Sequence, residues 1–217
     1  MVLWVAESCK KALGLHQVVV ASDHPEILRV AAAAGFRAER TSSSALTGTD
    51  RVAEVAGKLG GTTVLNVQGD EPLVDPSDIS RIASIHRENP GYVINGFATL
   101  SEGEDPSRVS IPKVVLDNSD NLLFASRAVI PLGKSSSGRA ILHRKQVCIY
   151  AFSPEQLELF SQTRGKTPLE SIEDIEILRF LELGQAVRMV ETKSKTTAVD
   201  EPRDITLVES ILRGREV

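Results

Sequence analysis

The stretch Val64-Leu65-Asn66-Val67-Gln68-Gly69-Asp70-Glu71-Pro72 limits what this chain can fold into more than any other. An apolar, β-branched run that ends abruptly in polar residues, a glycine, two acids and a proline reads as a buried parallel strand whose carboxyl end enters a loop. Open α/β sheets bind ligands in the crevice outside such strand ends. A carboxylate there, Asp70, is suited to hold a hard cation that bridges phosphate oxygens. The stretch alone equally allows a tight turn shaped by Gly69 and Pro72, with Asp70 capping the next helix.

The surrounding pattern favours a sheet. Met1 to Leu13 has the spacing of an amphipathic helix stopped by Gly14, and Val18 to Ala21 reads as a buried strand. Asp23 is placed to cap a helix that takes Pro25 in its first turn and runs to Gly35. Phe36 to Glu39 suits a short strand, Asp50 to Leu59 a helix, Thr63 to Val67 the central strand and Pro76 to Glu88 a further helix. Strands alternating with helices argue for a mostly parallel sheet with right-handed crossovers. Beyond Tyr92 the pattern changes: 92–100, 113–117 and 121–126 are extended, with a hairpin tip at 118–121. Gly133 to Gly138 reads as a Gly/Ser-rich surface loop. Gln146 to Phe152 is a strand, Ser153-Pro154 opens a helix, and one long periodic helix is expected from Leu169 to Leu183. Val187 to Glu191 closes the strand set, and Thr197 to Pro202 leads into a last helix.

A chain of 217 residues fits one domain, burying roughly 70–75% of the surface of its unfolded form. A net charge of −4 gives no electrostatic case for nucleic acid or an anionic membrane as partner. Cys9 and Cys148 belong to no metal or disulfide spacing, which makes the cytoplasm the default compartment. No apolar run approaches the roughly 20 residues of a membrane span.

Three constellations carry candidate chemistry. Gly48-Thr49-Asp50-Arg51 opens a helix, where backbone N–H groups and an arginine can receive an anion or a base edge, or where a cap and a solvated Arg suffice. Arg127, after Ser126, can take a carboxylate through two parallel hydrogen bonds or lie on the surface. Glu170, Glu173 and Asp174 share one face of the expected long helix, and Glu176 follows them. They can reach a polyhydroxylated ligand or form a solvated face. His16, His24, His86 and His143 share no ligand spacing. Val199-Asp200-Glu201-Pro202 repeats the logic of the central stretch, so Asp70 and Asp200 can serve one cation from two loops, or Asp200 can simply cap the last helix.

Taken in order, Ala21-Ser22-Asp23, Thr47 to Arg51, Asn66 to Pro72, Ala125-Ser126-Arg127, Ile149 to Phe152, Pro168-Leu169-Glu170 and Val199 to Pro202 resemble the 3-deoxy-manno-octulosonate (Kdo) cytidylyltransferases, over nearly the whole chain. The resemblance implies a Rossmann-like nucleotidyltransferase fold in which CTP, Mg²⁺ and a Kdo-like sugar acid meet and pyrophosphate leaves. It implies Asp70 and Asp200 as Mg²⁺ ligands, and Gly48, Thr49 and Arg51 around the cytidine. Gln68 falls between nucleotide and sugar, and Arg127, Glu170 and Glu173 where the sugar acid is held. It also implies a homodimer packed through an inserted segment of about 92–152, and a place in lipopolysaccharide or surface-glycan synthesis. Such chemistry needs alignment and charge neutralisation more than a covalent nucleophile.

Two departures qualify the resemblance. The family's first strand and basic, glycine-containing triphosphate loop have no counterpart here, and Met1 to Val5 matches the helix that follows that loop, so an amino-terminally truncated chain of lowered activity is expected. Family members commonly carry His-Leu-Gly where this chain has Gln146-Val147-Cys148. Gln146 keeps donor and acceptor capacity without a cationic state, which points to a related sugar acid. The alternatives are a nucleotidyltransferase for a sugar-1-phosphate, and an inactive binding module without its phosphate loop.

Overall fold

Each helix of the expected βα units begins at a capping side chain, and the strands between them are only partly buried: Val19–Ser22 on one face, with Arg37 and Arg40 exposed. The structure, a computed structural model, describes residues 1–134, 141–163, 165–193, 198–199 and 201–215. Helix α1 (Val2–Leu13) ends at Gly14, whose φ of 89° suits a residue without Cβ. Strand β1 (Val19–Ser22) leads to α2 (Pro25–Ala33), then β2 (Arg37–Arg40), α3 (Gly48–Leu59), β3 (Val64–Val67) and α4 (Pro76–Glu88). The cap of α2 is not Asp23: His24 Nδ1 accepts from Glu26 N at 3.3 Å, while Asp23 is drawn to Arg51 at 3.0 Å. Thr47 caps α3 and Asp75 caps α4 through their side chains. Next come β4 (Val93–Thr99), the hairpin β5 (Lys113–Leu116) and β6 (Leu122–Ser126), β7 (Arg144–Phe152) and α5 (Pro154–Gln162), which opens on a Ser153–Gln156 capping box. The chain closes with α6 (Pro168–Glu173), α7 (Ile177–Glu182), β8 (Val187–Glu191) and α8 (Pro202–Arg215). The loop expected at 133–138 and the lead-in at Thr197 fall partly outside the described residues.

Two larger features also depart from expectation. The single long helix from Leu169 is two short ones, broken where Asp174 adopts φ 52°, ψ 49°. Asp tolerates this left-handed geometry better than most residues, and the break buries Ile175 in the core. Glu182 then caps the first piece, accepting from Leu169 N and Glu170 N. Strand β3, expected to run parallel to its neighbour, pairs antiparallel with β7 instead. Parallel pairing occurs at β1–β2 and β4–β8. Because β3 and β4 both run opposite to β7, β3, β4 and β8 share one direction.

Strand β7 is the hub. One of its edges carries β4; the other carries β3, opposite residues 149–152, and then β5, opposite residues 144–145. Strands β3 and β5 thus lie end to end along one edge, and the chain leaves and re-enters the sheet between them. Residues alternate faces: Val147, Ile149 and Ala151 enter a core with α1 and α4, while Tyr150 and Phe152 enter a second core with α5 and α7. At the far edge, an isolated bridge from Asn121 to Arg188 brings the hairpin turn against β8. Among the described residues, no helix is long and apolar enough to cross a membrane.

Buried His86 on α4 makes stability pH-dependent. Burial lowers its pKa below the ordinary 6.5, and Thr63 Oγ1 holds Nδ1 at 2.9 Å. The unfolded chain binds a proton that the folded one resists, so stability is full above pH 6.5 and falls as the pH drops below it. Chemical denaturation at pH 7.5 and 5.5 is expected to lose less stability on acidification for His86→Gln than for wild type. Equal losses would assign the slope to other groups.

Candidate active site

The notch between the end of β3 and the start of β5 is where the site forms. Gln68 N still bonds Cys148 O at 3.3 Å and Pro112 O still accepts from Gln146 N at 2.9 Å. Between those two contacts the edge of β7 is left to the loops, and a cleft of about 570 Å³ opens. Gln68, Asp70 and Glu71 wall it from the β3 side, Arg108 and Arg127 from the hairpin side, and Lys145 and Gln146 from β7. A second cavity of about 700 Å³ lies between α1, β1 and β3, and Gly48 and Arg51 border it. Gln68 and Asp70 line both. The site is therefore a two-chamber one, with the end of β3 at the junction.

The half-buried Asp70 carboxylate at that junction is next to Glu71, whose Oε1 accepts from Cys148 N at 3.3 Å. Val199 N donates to the Asp70 carbonyl at 2.9 Å, which ties the segment before α8 to the loop after β3. Asp200 lies outside the described residues. Asp70 and Glu71 offer hard carboxylate oxygens, the ligand class that Mg²⁺ selects, while no group of three or more metal-ligating side chains gathers among the described residues.

Among the residues singled out in the sequence, Gln68, Asp70, Arg127, Gln146, Asp174 and Glu176 line the first cleft, and Gly48 and Arg51, with Gln68 and Asp70 again, the second. Arg51 is engaged with Thr41 Oγ1, Ser42 O and Asp23, so it braces the β2–α3 loop from the cavity's rim. Gln146 is nearly buried and donates to Asn95 Oδ1 at 2.8 Å. Glu173 sits behind the cleft, accepting from Ser126 Oγ at 2.7 Å and Arg127 N at 2.8 Å.

Thr49 and Glu170 face neither chamber, because each is fully buried and bonded within the fold. Thr49 Oγ1 and N both donate to Glu176. Glu170 takes two hydrogen bonds from Arg179, at 2.6 and 2.7 Å. Arg179 reaches on to Asp50 at 2.9 Å and stacks its guanidinium over Phe160 at 3.6 Å. That network fixes the amino end of α3.

Glu176, unremarkable in the acidic series, is central to the geometry. Its carboxylate occupies the amino end of α3, accepting from Gly48 N at 3.1 Å, Thr49 N at 2.9 Å and Gln68 Nε2 at 3.0 Å. Burial pushes its pKa up, against the pull of those donors. The positive helix end that seemed open to a ligand is thus met by the chain's own anion. Lys145, paired with Glu104 at 2.5 Å, is a second cleft residue that sequence reasoning missed, since a lysine inside a strand pattern reads as solvated.

A family model described as cytidylyltransferase matches residues 1–193. The 3-deoxy-manno-octulosonate cytidylyltransferase of Geotalea daltonii is 36% identical over 99% of this chain and 88% of its own length. The 8-amino-3,8-dideoxy-manno-octulosonate cytidylyltransferase of Shewanella halifaxensis is 35% identical over 98% and 87%. Among solved structures, CMP:2-keto-3-deoxy-manno-octonic acid synthetase complexed with CTP superposes with a TM-score of 0.87 at 29% identity, over 100% of this chain and 88% of that one.

Proposed function

The chain belongs to the cytidylyltransferase family, and from that premise we propose that it joins CMP from CTP to a 3-deoxy sugar acid, Kdo or its 8-amino relative, releasing pyrophosphate. The observation that carries this reading is the pair of chambers meeting at Gln68 and Asp70. A transferase must bring two substrates to one point, and alignment contributes much of the rate. In this reading CTP lies on the Gly48 and Arg51 side and the sugar acid on the Arg127 and Gln146 side. Glu173 holds Arg127 in place and Glu170, through Arg179, holds the helix that carries Gly48.

Asp70, with Asp200 from the loop before α8, is the proposed Mg²⁺ ligand pair. When bound, the ion supplies charge neutralisation on the triphosphate. Asp70 accepts a cation, Gln68 hydrogen-bonds across the junction, and the walls from Arg127 and Lys145 balance the acids of the cleft.

A cytoplasmic homodimer packed through residues of about 92–152 is part of the same proposal. Its support is the apolar surface of that segment, where Leu123 is 61%, Leu132 83% and Leu142 75% exposed. A monomer at micromolar concentration in sedimentation would overturn it.

Pyrophosphate release tests the activity. With Mg²⁺, release is expected from CTP and Kdo or 8-amino-Kdo, and not from UTP or ATP, nor with sugar-1-phosphates. Turnover with a sugar-1-phosphate would establish the rival acceptor class. Silence with every pair, with CTP binding lost as well, would leave a binding module.

A further inference from the structure

Lys113 at the start of β5 is fully buried, and its ammonium donates to the backbone carbonyls of both Arg108, at 3.0 Å, and Arg127, at 2.5 Å. One buried cation therefore pins two arginines to the same wall of the cleft. Their side chains are used differently. Arg127 is spent on the fold: Nε donates to Glu173 O, Nη1 to Val109 O at 2.9 Å and Nη2 to Asp174 O at 2.8 Å. Arg108 is not. Among the described residues its Nε–H is buried without a hydrogen-bond partner, and its Nη2 reaches the buried Asp204 at 3.4 Å and Glu201 at 4.0 Å.

We infer that Arg108 is a substrate-binding residue of this cleft, taking an oxyanion of a bound substrate, a carboxylate or a phosphate, on its Nε edge. The inference deepens the transferase reading and rests on it. A buried N–H without a partner is rare in folded proteins and calls for a group that completes it. Here Arg108 lines a polar cleft wide enough for a sugar acid. The guanidinium edge presents two N–H groups in a plane, the geometry that fits the two oxygens of a carboxylate or phosphate. Of the other cations on these walls, Lys145 is paired with Glu104 and Arg127 is stapled to carbonyls. An anionic substrate entering a cleft bordered by Asp70, Glu71, Glu201 and Asp204 needs a cation with an unpartnered donor, and among the described residues Arg108 has one. Val109, whose carbonyl holds Arg127, fixes the backbone beside it.

The test is direct binding of CTP, and separately of Kdo, to wild type and Arg108→Gln by calorimetry, with melting temperatures as the control for folding. One Kd is expected to rise about 10- to 100-fold, the loss of a charged hydrogen bond, while the other stays within about twofold. A rise for Kdo alone identifies the carboxylate; a rise for CTP alone identifies the phosphates. Both constants unchanged, both raised together with a lower melting temperature, or a wild type that binds neither ligand, each overturns the inference. The transferase reading is judged apart, on pyrophosphate release by wild type: binding that responds to Arg108 without any release would remove that reading and keep the anion site.

Discussion

Asp70→Asn is expected to reduce CTP-dependent pyrophosphate release by about 10²–10³-fold while leaving the melting temperature nearly unchanged. Asn keeps the shape and loses the charge. The backbone contact between Asp70 and the segment before α8 survives, because Val199 N–H is bound to its carbonyl rather than to its carboxylate. What disappears is an anionic oxygen donor at the junction of the two chambers, and a single preorganised electrostatic contact is worth about that factor in rate. Turnover measured across a Mg²⁺ titration is the decisive readout. The variant is expected to need more Mg²⁺ and to remain slow at saturation. Activity within about threefold of wild type at every Mg²⁺ concentration would reduce Asp70 to a loop former.

Glu170→Gln is expected to be the most destabilising single polar change, by about 3–5 kcal/mol, because it strands the buried guanidinium of Arg179. Arg179 is 1% exposed and Glu170 0%. With the bidentate partner neutralised, Asp50, itself part-exposed, is the one carboxylate among the described residues that answers the charge, from 2.9 Å. For a chain of this size the loss corresponds to a fall in melting temperature on the order of 10 °C. Pairing Glu170→Leu with Arg179→Met is expected to be milder than either single change, since it removes both charges together. A Glu170→Gln variant within 1 kcal/mol of wild type would mean that water or another carboxylate reaches Arg179. The pair also joins stability to the site, because Asp50 lies in the first turn of the helix whose Gly48 and Thr49 amides hold Glu176.

Much of this architecture is legible in the residues. The strand ending at Val67 is marked by the switch from apolar to Gln68-Gly69-Asp70, and α5 by Ser153-Pro154. The helix break at Asp174 is not. Ile172, Ile175 and Leu178 keep a helical rhythm across it, and the left-handed residue is stabilised by distant partners: Lys166 on its carboxylate and Arg127 on its carbonyl. The roles of Glu170 and Glu176 exchange for the same reason. On an unbroken helix the first is as good a ligand-facing acid as the second; the break turns Glu170 towards Arg179 and Glu176 towards α3. Strand direction was equally hidden, since a buried run such as Val64-Leu65 reads alike beside a parallel or an antiparallel neighbour. Lys113 and Arg108 show the same limit: their spacing is that of ordinary surface cations, and only the packed hairpin makes one a buried anchor and leaves the other, among the described residues, with an unpartnered Nε–H.

Strand β7 holds β3 and β5 at fixed positions along a single edge, so the separation between the Gln68–Asp70 wall and the Arg108–Arg127 wall is set by the number of residues it spends between Ile149 and Lys145. Insertions in the long connection between β4 and β5 can be absorbed at the surface. A single residue added to or deleted from that part of β7 cannot, because it would reverse which side chains face the cleft and shift one wall against the other in the same step. Length variation among proteins built this way should therefore collect in the connections and stop at this strand.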